Sequence, residues 1–130
     1  MIIFEKFKPM AMNKNCYKFV LWTCASSENE VTGEDIDIKK TFECDVDDIK
    51  NLKPGVRLFS PVKDRWGNLE FPDFNFRVVE VYENGLRLKS SFMYSSNSAE
   101  FDITLDNPLR KDGFWFGRYE YSYRLTLEKK

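Results

Sequence analysis

Apolar and polar side chains alternate along most of this chain, the period-2 signature of strands with one face in a core and one in water. The last segment shows it most cleanly. Tyr119, Tyr121, Tyr123, Leu125 and Leu127 share one parity, and Arg118, Glu120, Ser122, Arg124, Thr126 and Glu128 share the other. A second alternation sets Ile36, Ile38, Phe42, Cys44 and Val46 against Asp35, Asp37, Lys39, Thr41, Glu43 and Asp45. Lys40 alone breaks it, which points to a bulge, an edge position or an outward turn.

A hairpin is expected around Asn84-Gly85, the dipeptide of a two-residue type I′ turn. That turn pairs Glu83 with Leu86, Val81 with Leu88 and Val79 with Ser90 on an apolar face. On the polar face Tyr82 meets Arg87, and Glu80 meets Lys89 as an opposite-charge pair. Shorter strands are expected over 2–7, 17–24, 56–62, 74–82 and 101–105. The segment 17–24 is apolar on both faces, as a central, covered strand would be.

Two short helical turns complete the pattern. One spans 45–52, with Asp residues as N-caps and Pro54-Gly55 beyond its end. The other opens at Asn107-Pro108 and stops at Gly113. About eight mainly antiparallel strands joined by turns describe a single all-β domain over 1–130. It would be a small β-sandwich or β-barrel.

Composition agrees with this. Aromatics make up 16% of the 130 residues, with 12 Phe, 6 Tyr and 3 Trp, and these residues fit pleated surfaces. Alanine, the best helix former, occurs only at positions 11, 25 and 99.

The net charge of −1 conceals an asymmetry. Between Glu28 and Asp48, nine acids face only Lys39 and Lys40, a local balance of −7 that leaves +6 elsewhere. The isoelectric point near 5.6 counts against a strongly nucleic-acid-binding class. Cys16, Cys24 and Cys44 are odd in number and lack C-x-x-C spacing, which fits reduced thiols in a cytoplasmic protein. Cys24 and Cys44 read as small buried hydrophobes, and Cys16 as the most exposed thiol. Met1 to Lys6 does not read as a signal peptide, because charges interrupt the apolar run. Phe19-Val20-Leu21-Trp22 is too short to span a membrane.

The chain has no histidine. That removes the usual general base near neutral pH, every Ser-His or Cys-His nucleophile pair, and the commonest metal ligand. Phosphate-binding glycine loops are also missing. The expectation is therefore a protein that is not an enzyme and carries no cofactor or metal.

The candidate partner-binding residues are aromatic and basic: Arg65 and Trp66 in the turn Asp64-Arg65-Trp66-Gly67-Asn68, and Phe114, Phe116 and Arg118 near the C-terminus. If the last strand begins at Phe114 without a bulge, Trp115 continues the core parity and Phe114 and Phe116 face outward. Exposed aromatics beside arginine serve protein hot spots and also stack on bases or sugars. An acidic strand face, made by Asp35, Asp37, Glu43 and Asp45, is the other candidate surface; charge at these positions is otherwise simply solvated.

Leu52-Lys53-Pro54-Gly55-Val56-Arg57-Leu58, followed by 76–88 with Gly85-Leu86, resembles in part the PilZ type of cyclic-dinucleotide-binding barrel. The ligand motif of that family, R-x-x-x-R with a later D/N-x-S-x-x-G, is absent. Gly113-Phe114-Trp115 similarly resembles the G-x-W of lipocalins, at the opposite end of the chain. These likenesses are to small barrels in general, and fold does not imply function.

The functional expectation is an intracellular binding protein that engages another macromolecule, foremost a protein, as an inhibitor, immunity protein or accessory subunit does. The alternative is a barrel for a small ligand (nucleotide, lipid or sugar) or for single-stranded nucleic acid. No membrane partner is expected, and an exposed edge near 36–46 would allow a homodimer.

Overall fold

A computed structural model describes residues 16–105 and 107–130, apart from the side chain of Asn97. The strand expected over 2–7 lies outside these residues. The fold is all-β, in antiparallel sheets.

The first sheet has the order β2-β1-β9-β8 and contains β1 (Tyr17–Glu28), β2 (Asp35–Val46), β8 (Leu109–Phe116) and β9 (Tyr119–Lys129). The second has the order β5-β6-β7, with β5 (Phe74–Val81), β6 (Gly85–Phe92) and β7 (Ser95–Thr104). A two-stranded ribbon joins β3 (Val62–Lys63) to β4 (Leu69–Glu70). No strand pairing among the described residues closes the two larger sheets, and their inner faces share one core.

The alternations seen in the sequence place that core. Tyr121, Tyr123, Leu125 and Leu127 of β9 are buried, as are Phe19, Leu21, Thr23 and Ala25 of β1. From the second sheet come Phe74, Phe76, Val78, Leu86, Leu88 and Ile103. β1 is central, between β2 and β9, but only its inner face is fully covered; Val20 and Trp22 on the other face are half-buried.

β2 keeps its alternation without a bulge, since its register with β1 is continuous. Lys40 lies on the inner parity, opposite Thr23, where the core ends. Phe42 and Val46 beyond it are buried, whereas Ile36 and Ile38 before it are exposed. The lysine reaches across to Glu70 of β4, 3.4 Å away. Lys40 therefore marks the border of an edge strand's covered half.

Four expectations need correction. The hairpin between β5 and β6 forms, but its turn residues are Glu83 and Asn84: Tyr82 N–H donates to Gly85 O, and Val81 pairs with Leu86. Gly85 is not at positive φ, so the type I′ turn is absent. A bulge at Val79 then restores the inward parity by pairing Val78 with Leu88, and Glu80 faces Arg87 instead of Lys89.

The segment after Asn107-Pro108 is strand β8, not a helix. Its pairing with β9 outweighs the local capping signal, and Gly113, at φ +86°, sits at a ladder irregularity, not at a helix stop.

Of the stretch expected as a strand over 56–62, Val62 opens β3, and the residues before it form one bridge, Arg57 with Arg77, and lie along the free edge of β5 through Gly55, Val56 and Leu58 backbone bonds. They thereby cover one edge that would otherwise be open. The other helical expectation reduces to a 3-10 turn, Ile49–Asn51, capped by the Asp48 carboxylate on Lys50 N–H.

No helix among the described residues is long and apolar enough to cross a membrane.

Candidate functional site

The β8–β9 hairpin turns at Gly117-Arg118, pairing Phe116 with Tyr119. Gly117 has φ +62°, the left-handed value that a two-residue hairpin turn of this kind assigns to glycine. The reversal resets the parity, so the alternation of β9 cannot be extended backwards into β8. Phe114 stands opposite Tyr121 and faces the core; Trp115 stands opposite Glu120 and faces out. The expected orientations of Phe114 and Trp115 are therefore exchanged.

Phe114 is half-buried, packed within 5.1 Å of the Phe74 ring and 5.8 Å of Phe92. Phe116 shares its parity but lies past the end of the covered core, so it remains 50% exposed.

Phe116 meets a second hairpin there. β6 and β7 turn at Met93-Tyr94, and the Tyr94 ring stacks on Phe116 at 4.8 Å with 17° between planes. Tyr94 also contacts Phe92 and Tyr121, and Tyr121 contacts Tyr119. The result is an aromatic shelf, continuous with the core and open to solvent, with Tyr94, Phe116, Tyr119 and Met93 all exposed. Beside it a hollow of about 300 Å³ is lined by Thr23, Lys40, Asp73 and the tyrosines 94, 119 and 121.

Burial governs the titration of this end. It raises the Asp73 carboxyl above its ordinary range, with Lys40 pulling it back. Tyr121 is pushed up to about 12 by burial, then by its contact with Tyr94. Tyr123, deeper in the core, is raised by burial alone.

On the outer side of the same hairpin, Trp115 is 66% exposed. It borders a hollow of about 540 Å³ lined by the carboxylates of Glu28, Glu30, Asp35 and Glu120 and by Arg118. Arg118, the one cation among the described residues that line the hollow, pairs with Glu30 of the β1–β2 turn and is neutralised by it. This end of the molecule is apolar on one side of β8 and acidic on the other.

The sequence-derived candidates are thus only partly assembled. Phe116, Arg118 and Asp35 lie at this end; Phe114 belongs to the core. Arg65 and Trp66 lie on the β3–β4 turn, held by Asp64 accepting from Trp66 N–H and Asn68 N–H. Trp66 is 71% exposed, with the Arg65 guanidinium 4.2 Å above its ring. Among the described residues no ring contact joins Trp66 to the shelf.

Asp37, Glu43 and Asp45 lie along the water-facing parity of β2 with Asp35. Glu43 pairs with Lys18 and Asp45 with Lys130, each at 3.2 Å, so the acidic face is partly neutralised from within. Tyr94, Trp115 and Tyr119 were not among the sequence-derived candidates. Gly117 was the signal that could have revealed them, because a glycine turn there splits one apparent strand into two.

Cys16, Cys24 and Cys44 are free thiols, all partly buried. Burial raises Cys24 and Cys44 above their ordinary range, which disfavours the nucleophilic thiolate. Among the described residues no cluster of Cys, Asp and Glu is placed to hold a metal ion. No family model, no curated protein and no solved structure matches the chain.

Proposed function

We propose that this chain is a non-enzymatic, cytoplasmic binding protein whose β8–β9 end holds a protein partner. The observation that carries this reading is the pair Trp115 and Phe116. They are adjacent in the chain, both exposed, and directed to opposite faces, one beside an acid-lined hollow and the other onto a stacked tyrosine. Exposed aromatics rooted in a packed framework make low-entropy anchors, and such residues dominate protein interfaces.

The charge around them selects the partner. Four carboxylates against one arginine favour an apolar side chain flanked by lysine or arginine, and repel a phosphate backbone. A protein with a basic rim around an apolar anchor suits this surface better than nucleic acid. An inhibitor, immunity protein or accessory subunit would use it in this way.

The test is quantitative capture from lysate by the wild-type chain, Trp115→Ser, Phe116→Ser and Trp66→Ser, with light scattering to detect a second copy of the chain. A partner retained by Trp66→Ser, lost by the other two and weakened by salt supports the proposal. A partner held equally by all four, or captured only as nucleic acid, overturns it.

A further inference from the structure

β7 and β8 are edge strands of different sheets, and between them lies a cleft of about 470 Å³. That volume falls within the roughly 300–1,000 Å³ of small-molecule sites. Its walls are the rings of Phe74, Phe92, Phe101 and Phe114, with serine hydroxyls and backbone between them. Among the described lining residues only Lys111 is charged.

Lys111 arrives there by register. It stands opposite Tyr123 in the β8–β9 ladder, on the inward face. An ammonium cannot enter an apolar core unpaired, so the side chain stays at the border, 4.9 Å from the Phe101 ring centroid. Among the described residues no carboxylate forms an ion pair with it; the neighbouring Asp112 is taken by Arg110, 3.5 Å away.

Tyr123 does not line the cleft but packs against two of its walls. The Tyr123 ring lies 4.7 Å from Phe74 and 6.3 Å from Phe114, two of the cleft walls. Its hydroxyl is buried with no hydrogen-bond partner among the described residues. Buried polar groups are ordinarily bonded to protein, water or ligand.

We propose that this cleft binds a small aromatic monocarboxylate, its ring between the phenylalanine walls and its carboxylate paired with Lys111. Charge decides the class. One cation that no described carboxylate pairs with gives a single negative group an unopposed partner, while the apolar walls exclude strongly hydrated sugars and polyphosphates. Rings meeting rings favour a flat body over a saturated chain. This site adjoins the partner surface proposed above, since Trp115 borders both hollows, but its ligand contacts rest on Lys111 and the phenylalanines and not on that surface.

The test titrates 2-naphthoate, and its neutral counterpart 2-naphthamide, into the whole chain by calorimetry and thermal unfolding. Saturable one-to-one binding of naphthoate is expected, with a concentration-dependent rise in Tm and at least tenfold weaker binding of the amide. Lys111→Gln should lose that preference, leaving the two compounds alike. Ala99→Trp, which fills the cleft from an exposed position, should abolish both. Absence of saturable binding, equal affinity for the two compounds in the wild-type chain, or full binding by Ala99→Trp overturns the proposal.

Discussion

Gly85 lies so close to the carbonyl oxygen of Ile103, across the β6–β7 ladder, that a Cβ at position 85 would collide with it. The glycine of Asn84-Gly85 is thus required for close approach of two strands, not for the conformation of the turn.

Gly85→Ala should therefore cost about 1–3 kcal/mol, the range of overpacked sites. Asn84→Ala, at an exposed turn position without positive φ, should stay within about 0.5 kcal/mol. Urea unfolding of both variants separates the two roles; a larger loss for Asn84→Ala would contradict the observed turn.

Phe114 and Trp66, alike as aromatic candidates in the sequence, should behave oppositely. Phe114→Ala removes a ring packed on Phe74 and Phe92, and a loss of roughly 2–4 kcal/mol is expected, below the full core value because the ring is half-buried. Trp66→Ala removes an exposed ring over an exposed turn and should change stability by less than about 0.5 kcal/mol. Denaturant midpoints at equal slope decide this.

At high pH the buried tyrosines should limit stability. Tyr121 is raised to about 12 and Tyr123 is raised also, so both favour the neutral phenol in the folded chain. Their contribution is fully present below the ordinary value of 10.0 and is lost as pH rises through the folded values. Alkaline unfolding should begin above pH 10, and Tyr123→Phe should shift it upward. Phenolate absorbance that rises at the ordinary tyrosine value for every residue would contradict this.

Asp73 predicts an effect at the other end of the scale. Its carboxyl is raised from 3.8, so the native state favours the proton, and stability declines as pH rises from below 3.8 through the folded value. Asp73→Asn should be at least as stable as the wild-type chain at pH 7, with its advantage disappearing below that ordinary value. A variant less stable at pH 7 would show that the Lys40 attraction outweighs burial.

The protein's strand content and much of its core were legible in the alternation itself. Tyr121 to Leu127, and Phe42 to Val46, face inward as their parity requires, because period 2 maps directly onto the two faces of a strand. The 3-10 turn at 49–51 was legible through its Asp cap.

Tertiary structure decided what local pattern leaves open. The reversal at Gly117 exchanged Phe114 and Trp115, and the bulge at Val79 set the register between β5 and β6, because parity holds only within an uninterrupted strand. Which inward positions are covered depended on where the second sheet ends: Phe42 is buried, Ile38 is not, and Lys40 stands between them. The shelf and the cleft are of the same kind. Tyr94 and Phe116, or Phe101 and Lys111, are brought together by the packing of different sheets, and no spacing along one strand encodes a contact between two.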